Sequence, residues 1–122
     1  MLRKSTIIVI ITFTINNTGD GMKATTSSTF KQDVLDSKKT VLLDVWAPWC
    51  APCRGMNPIV EQIAEESKDL ADIVKLDASV EMELVQTLGV SSLPTFLVYK
   101  NGQIVNSSVG ATSKANLLKL IS

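Results

Sequence analysis

The chain has 122 residues, 12 basic and 12 acidic side chains and no histidine, so its formal net charge at pH 7 is zero. This length is enough for one domain with a buried core, and the charge balance offers no basic patch for nucleic acid. The lack of histidine excludes Ser–His and Cys–His catalysis and the usual zinc hydrolase sites.

The first 21 residues differ in character from the rest of the chain. Arg3 and Lys4 precede an apolar, β-branched run over residues 7–15. This run is shorter than a transmembrane helix requires, but a positive start followed by an apolar core is typical of a signal peptide. An export signal or a short membrane anchor is therefore one interpretation of this segment.

Two other interpretations rest on the residues that follow the run. Gly19–Gly21 is a poor cleavage site, and the dipeptide Gly19-Asp20 corresponds to a ribosome-binding sequence read as codons, just before a second methionine, Met22. Synthesis would then begin at Met22; alternatively, residues 1–21 are a disordered extension. We favour these two interpretations over export and expect one compact domain at residues 22–122.

Apolar spacing and turn residues predict nine elements in this domain. The first four, in chain order, are a weak strand at 22–26, a short helix begun by a Thr29-X-X-Gln32 capping box with Phe30, Val34 and Leu35 inward, a buried strand at 41–46 and a helix at 50–67 containing Pro58. A strand at 72–77 and a helix at 82–88 ended by Gly89 follow. The last three are strands at 95–100 and 103–109, joined by a turn at Asn101-Gly102, and a helix at 113–121 with Leu117, Leu118 and Ile121 inward.

This order of elements predicts an α/β fold. Strands joined through helices should run parallel, and the last two strands should form an antiparallel hairpin. We therefore expect a central mixed five-stranded sheet flanked by four helices, with helices on both faces.

Both cysteines of the chain, Cys50 and Cys53, lie two residues apart between a predicted buried strand and a predicted helix. The start of a helix carries partial positive charge and unpaired N–H groups, which stabilise a thiolate. Cys50, at the exposed helix start, should attack a disulfide, and Cys53, one turn inside the helix, should resolve the mixed disulfide. The pair therefore predicts thiol–disulfide exchange.

Metal binding and a purely structural disulfide explain this pair less well. A zinc site usually needs four Cys or His ligands, and one chain supplies only two, so we expect no metal. A metal centre shared across a dimer is a weaker alternative. A structural disulfide usually closes a longer loop, because a short loop removes less entropy from the unfolded chain.

The motifs together resemble the thioredoxin family over essentially all of residues 22–122, and imply its fold. The elements that match, in order and spacing, are Asp44, Trp46-Ala47-Pro48-Trp49-Cys50-Ala51-Pro52-Cys53, Pro58, Lys75, Ser92-Leu93-Pro94-Thr95, Asn101-Gly102 and Gly110.

The resemblance implies catalytic roles for two residues besides the cysteines. Asp44, a lone carboxylate in an apolar strand, is expected to be a buried acid with a raised pKa that moves a proton for Cys53. Lys75 is expected near that acid, although an ordinary surface lysine explains it almost as well. An edge aspartate with its carboxylate in water is the alternative for Asp44.

The resemblance also implies a cis Leu93–Pro94 bond facing the disulfide, with the Leu93 backbone able to pair with a bound peptide. A flat apolar rim around Cys50 would dock extended protein substrates. Its members are Trp49, Ala51, Pro52, Val90, Leu93, Pro94, Gly110 and Ala111.

Three positions depart from the usual family pattern. Ala51 replaces a glycine between the cysteines, which leaves the redox potential open. Pro48 stands where many relatives have an acid. Ser91-Ser92 replaces a more basic approach to Pro94, so partner preference is expected to differ.

The resulting expectation is a thioredoxin-type protein-disulfide reductase that binds no cofactor beyond its redox-active Cys50–Cys53 disulfide. Electrons are expected from a NADPH-dependent thioredoxin reductase, and the other partners are disulfide-containing proteins. We expect a cytoplasmic monomer that binds neither nucleic acid nor membranes. The alternatives are an exported oxidase or thiol donor for cytochrome maturation, and a thioredoxin-fold binding subunit.

Overall fold

The computed structural model describes residues 22–122. The features predicted within residues 1–21, including the apolar run at 7–15, lie outside the described residues. The elements are β1 Met22–Thr25, α1 Lys31–Leu35, β2 Thr40–Trp46, α2 Ala51–Glu66, β3 Ala71–Asp77, α3 Met82–Thr87, β4 Thr95–Lys100, β5 Gln103–Val109 and α4 Lys114–Ile121.

The five strands form one mixed sheet in the order β1-β3-β2-β4-β5. β3 runs parallel to both β1 and β2, β4 runs antiparallel to β2, and β5 pairs back antiparallel to β4. The predicted α/β fold with a mixed five-stranded sheet and four helices is confirmed.

The apolar run of β2 occupies the centre of the sheet because both of its faces are covered. Leu42 points to a core closed by α2 and α4, in which Val60, Ile63, Leu117 and Ile121 are fully or almost fully buried. Its sequence neighbours Val41, Leu43 and Val45 point to the opposite face, where residues of α1 and α3 cover the sheet. Successive side chains alternate between faces, so this run buries apolar groups on both.

The start of α1 differs from the prediction. No side chain caps the helix, because the Thr29 hydroxyl instead accepts a hydrogen bond from the Thr26 N–H at 3.0 Å. The Asp36 N–H donates to the Lys31 carbonyl five residues back, so α1 is a π-type turn. The predicted capping box at Thr29 is wrong, and Leu35, predicted to face inward, is 37% exposed.

The hairpin between β4 and β5 turns at Asn101 and Gly102, as predicted. Both residues have positive φ, 53° and 79°, the conformation of a two-residue turn that favours Asn-Gly. A Cβ at Gly102 would also lie 2.9 Å from the Leu35 carbonyl oxygen. Glycine is therefore required by the backbone conformation and by the approach of the chain after α1.

Within residues 22–122, no helix has both the length and the apolar character needed to cross a bilayer.

Candidate active site

The two cysteines lie where the chain leaves β2 and enters α2. The Cys50 N–H donates to the Ala47 carbonyl at 3.1 Å, which closes a tight turn before the helix. Cys50 is the residue that precedes the first helical turn, and its sulfur accepts a hydrogen bond from the Cys53 N–H at 3.2 Å. Cys50 and Cys53 are joined as a disulfide. The strand–Cys-X-X-Cys–helix arrangement expected from the sequence is present.

Both cysteines are buried in this oxidised state. Cys50 retains 6% of its accessible surface and Cys53 retains 2%. Ala47 is buried with them, and Leu93 packs against the pair. The prediction of an exposed Cys50 is therefore wrong, because its side chain is bonded to Cys53 and packs with Ala47 and Leu93. The predicted order of burial, with Cys53 deeper, agrees with the structure.

Asp44 lies in the middle of β2 and is 3% exposed. Burial penalises the charged carboxylate and raises the pKa of Asp44 to about 6, while the positive charge of Lys75 acts in the opposite direction. The alternative of an edge aspartate in water is excluded. A carboxyl group with this pKa can hold or release a proton near neutral pH.

Lys75 projects from β3 toward three groups. Its ammonium nitrogen lies 4.0 Å from Asp44 Oδ2, 2.9 Å from Asn57 Oδ1 and 4.4 Å from the centre of a Trp46 ring. Its side chain keeps only 16% of its accessible surface. Lys75 is thus a neighbour of the buried acid and differs from an ordinary surface lysine in its contacts and burial.

The Leu93–Pro94 peptide bond is cis, as expected. The Thr95 hydroxyl donates to the Ser92 carbonyl at 2.6 Å, and the Gly110 N–H donates to the Pro94 carbonyl at 2.7 Å. Gly110 therefore lies directly beside Pro94, with a φ of 90° that favours glycine.

An open groove of about 570 Å³ runs alongside the disulfide. Five of the predicted rim residues line it: Trp49, Ala51, Pro52, Val90 and Leu93. Trp49 is 70% exposed at its edge. The surface that was predicted to be flat is a groove, because residues of α3 line the side opposite Trp49 and Pro52. Pro94, Gly110 and Ala111 are outside its lining.

Sequence reasoning did not place Ser91 in this lining, and it missed four further lining residues from α3 and the turn before it. They are Ala78, Met82, Val85 and Gln86. The parallel pairing of β2 and β3 could have indicated where these residues lie. Parallel neighbouring strands end at the same edge of a sheet, so the residue after β3 must lie beside the residue that ends β2. The Ala78 N–H indeed donates to the Trp46 carbonyl at 2.7 Å.

Sequence comparison agrees with this geometry. The thioredoxin family model matches residues 21–122. Thioredoxin 1 of Synechococcus elongatus is 43% identical over 94 residues, which make up 77% of this chain and 88% of the relative. Thioredoxin 1 of a Nostoc species is 44% identical over 92 residues, 75% of this chain and 86% of the relative.

This chain belongs to the thioredoxin family. It is a thiol–disulfide oxidoreductase of the protein-disulfide reductase type, in which the Cys-X-X-Cys pair is the redox-active centre. The exported oxidase and the binding subunit are not favoured by these comparisons.

A further relative joins two activities in one protein. It is the bifunctional thioredoxin reductase/thioredoxin of Mycobacterium leprae, 41% identical over 97 residues, which cover 80% of this chain and 21% of that protein.

Pro48, one of the three positions that depart from the usual family pattern, takes part in a hydrogen bond at the thioredoxin active site. Pro48, where many thioredoxins have an acid, offers its carbonyl to Arg54, whose Nη1 donates to it at 2.8 Å. Arg54 is one residue beyond Cys53, so a cation rather than an anion borders this loop. Within the described residues, no group of three or more Cys, Asp and Glu side chains is arranged to hold a metal ion.

Proposed function

We propose that Cys50 is the nucleophile and Cys53 the resolving thiol in the reduction of protein disulfides. The Cys50 thiolate attacks one sulfur of the substrate disulfide, forms a mixed disulfide and releases the other sulfur as a thiolate. Cys53, as a thiolate, then attacks Cys50 Sγ, which forms the Cys50–Cys53 disulfide and releases the second substrate thiolate. Two electrons pass from the cysteine pair to the substrate.

Three observations support this order of attack. Cys50 precedes the first turn of a 16-residue helix, where the helix dipole and backbone N–H groups favour a negative charge. The Cys53 N–H, 3.2 Å from Cys50 Sγ, is positioned to donate to the thiolate that reduction creates. Cys53 is also the more buried of the two, which suits attack on a neighbour rather than on a substrate.

Asp44 is proposed to accept the proton that Cys53 must lose before it attacks. A thiol is a poor nucleophile until it is deprotonated, and a base with a pKa near the working pH is the most effective. The pKa of Asp44 is about 6. Lys75 is the cation next to Asp44, and its charge stabilises the carboxylate before the proton arrives.

The groove is proposed to hold the substrate chain beside its attacked cysteine. Its open shape suits an extended protein segment, and its apolar lining between Trp49 and Met82 suits a bulky apolar side chain. The Leu93 backbone, with Pro94, Gly110 and Ala111 beside it, is proposed to pair with that segment in the manner of an added strand. The proximity of Gly110 to Pro94 supports this edge.

The finer physiological assignments are also proposals. A NADPH-dependent thioredoxin reductase returns the electrons, which is supported by the Mycobacterium leprae relative that combines both names in one chain. The protein acts as a cytoplasmic monomer, where cellular reductants keep the cysteines as thiols. Residues 22–122 form the working domain and 1–21 an extension to it, consistent with a family match that begins at residue 21.

The observation that carries this proposal is the disulfide at the start of α2 beside an open apolar groove. Its test is the reduction of insulin by the full chain with dithiothreitol as electron source, followed by turbidity. Wild-type protein should accelerate precipitation over dithiothreitol alone, and Cys50→Ser should not. Full activity of Cys50→Ser, or no acceleration by the wild type, would contradict it.

A further inference from the structure

The ammonium of Lys75 has a neutral partner nearer than its acidic one. Asn57 Oδ1, on α2, accepts its hydrogen bond at 2.9 Å, while Asp44 Oδ2 lies 4.0 Å away. A hydrogen bond between nitrogen and oxygen needs about 2.7–3.2 Å. Lys75 is therefore hydrogen-bonded to the amide and makes only a longer-range electrostatic contact with the carboxylate.

Trp46 fixes the ammonium from another side. The nitrogen lies 4.4 Å from the ring centre, within the distance at which a cation is attracted to an aromatic face. With the side chain only 16% exposed, water has limited access to the ammonium. Its position is thus set mainly by the Asn57 amide, the Trp46 ring and the Asp44 charge.

Among the described side chains around Asp44, Lys75 is the charged group that affects the pKa of Asp44. Asp44 is paired with apolar Phe96 of β4 on one side and with Lys75 of β3 on the other. α2, which covers this face, carries Asn57 and Cys53, neither of them charged in the oxidised protein, and α4 covers it with apolar side chains. Among the described residues, Lys75 is the charged group whose field acts on Asp44.

We propose that Asn57 is a positioning residue that holds the Lys75 ammonium away from Asp44 and so sets the pH range in which Asp44 exchanges its proton. The physical reason is Coulomb attraction, which grows as a charge pair shortens and is strong where water is excluded. An ammonium held at 4.0 Å leaves the carboxyl group protonated to a higher pH than one in direct contact would.

The proposal builds on the proton-transfer role given to Asp44 but can be tested without it. The readout is the carboxyl carbon of Asp44, titrated by NMR in the oxidised full-length protein. In Asn57→Ala the ammonium loses its neutral acceptor and should close on Asp44. Shortening the pair from 4.0 Å to about 2.8 Å should move the titration midpoint down by about one pH unit.

A second variant should shift the Asp44 titration midpoint in the opposite direction. Asn57→Asp places a competing carboxylate on Lys75 and adds a negative charge near Asp44, so the midpoint should rise. Gln62→Ala is the matched control. Gln62 lies on α2 like Asn57, and its amide oxygen also accepts a hydrogen bond from a lysine ammonium, that of Lys114 on α4, at 3.2 Å. It should leave the Asp44 titration unchanged.

A Lys75→Met background shows whether Asn57 acts through Lys75. There, Asn57→Ala should cause no further shift. An unchanged or raised midpoint in Asn57→Ala, or a shift that persists with Lys75→Met, would overturn the proposal. The Asp44 titration tests the positioning role of Asn57 independently of turnover. If Asp44→Asn keeps the wild-type pH profile of turnover, that result contradicts only the role of Asp44 in turnover.

Discussion

Asp44 and Lys75 occupy directly paired positions on the adjacent parallel strands β2 and β3. Paired residues on neighbouring strands project to the same face of the sheet, so the register itself brings the buried acid and the lysine together. A slip of one residue would send one of them to the opposite face. The proton-exchange chemistry proposed for this thioredoxin therefore depends on sheet register as well as on the identity of its residues.

The first prediction concerns stability and pH in Asp44→Asn. The folded-state pKa of about 6 is above the ordinary value of 3.8, so the folded protein binds this proton more tightly. Stability from this group is therefore fully present below pH 3.8 and is lost as pH rises to about 6. The loss amounts to as much as about 3 kcal/mol.

Asp44→Asn removes this penalty and should be more stable than the wild type at pH 7, but not at pH 3.5. Urea unfolding of the oxidised proteins at both pH values measures the difference. Asp36→Asn is the control, since Asp36 is an exposed partner of Lys31. Equal stability of wild type and Asp44→Asn at pH 7 would show that burial of this carboxylate costs nothing.

The second prediction concerns catalysis by Asp44. Asp44→Ala should reduce insulin at pH 7 at least about tenfold more slowly than the wild type while remaining folded, because Cys53 loses its proton acceptor. Circular dichroism checks the fold, and Asp36→Ala serves as the control for loss of a carboxylate. Unchanged rates at neutral pH would remove Asp44 from the mechanism.

The third prediction concerns the groove. Met82 is 61% exposed and lines it, whereas Val80 is 70% exposed and lies outside it. Met82→Glu should raise the KM for insulin by about tenfold, the equivalent of losing about 1.4 kcal/mol of apolar contact. Val80→Glu should not. Reduction of a small aromatic disulfide should be similar in both variants; equal KM values for insulin would exclude Met82 from substrate contact.

The fourth prediction concerns Tyr99. It is 3% exposed and packs edge-on against Phe30, with ring centres 6.0 Å apart. Its hydroxyl is buried and has no hydrogen-bond partner among the described residues. Tyr99→Phe keeps the ring and removes the hydroxyl, so it should stabilise the protein by about 1 kcal/mol in urea unfolding. Destabilisation would reveal a partner for the hydroxyl.

The fifth prediction compares two glycines. Gly102→Ala forces a Cβ into a position 2.9 Å from the Leu35 carbonyl oxygen at a φ of 79°, and should destabilise the protein by about 2 kcal/mol. Gly55→Ala, within α2 and with no atom near its Cβ, should stabilise it by up to about 1 kcal/mol. Thermal unfolding of both variants measures the contrast, and a Gly102→Ala protein as stable as the wild type would contradict it.

The sequence predicted well those features that local pattern controls. The apolar run of β2 indicated a strand covered on both faces, and Asn101-Gly102 indicated a two-residue turn, because few residues tolerate its positive φ. The strand–Cys-X-X-Cys–helix order was likewise readable from spacing. The capping box at Thr29 failed because the same hydroxyl accepts from Thr26 in a competing local turn.

Other features depend on contacts that no single segment encodes. The hydrogen bond between Asn57 and Lys75 joins residues 18 apart, on α2 and β3, and exists only once helix and sheet are packed. The contribution of Met82 to the groove depends on where α3 begins relative to the disulfide. The burial of Cys50 depends on its packing with Ala47, Cys53 and Leu93. Such features follow from tertiary geometry rather than from spacing.

The most direct test of the central claim is to trap the intermediate of disulfide exchange. Reduced Cys53→Ser and Cys50→Ser proteins are each mixed with an oxidised protein substrate and examined by intact mass. Cys53→Ser should accumulate a covalent complex joined through Cys50 that dithiothreitol releases, because the resolving thiol is missing. Cys50→Ser should form none. A complex that accumulates only in Cys50→Ser would contradict the assignment of Cys50 as the attacking thiol.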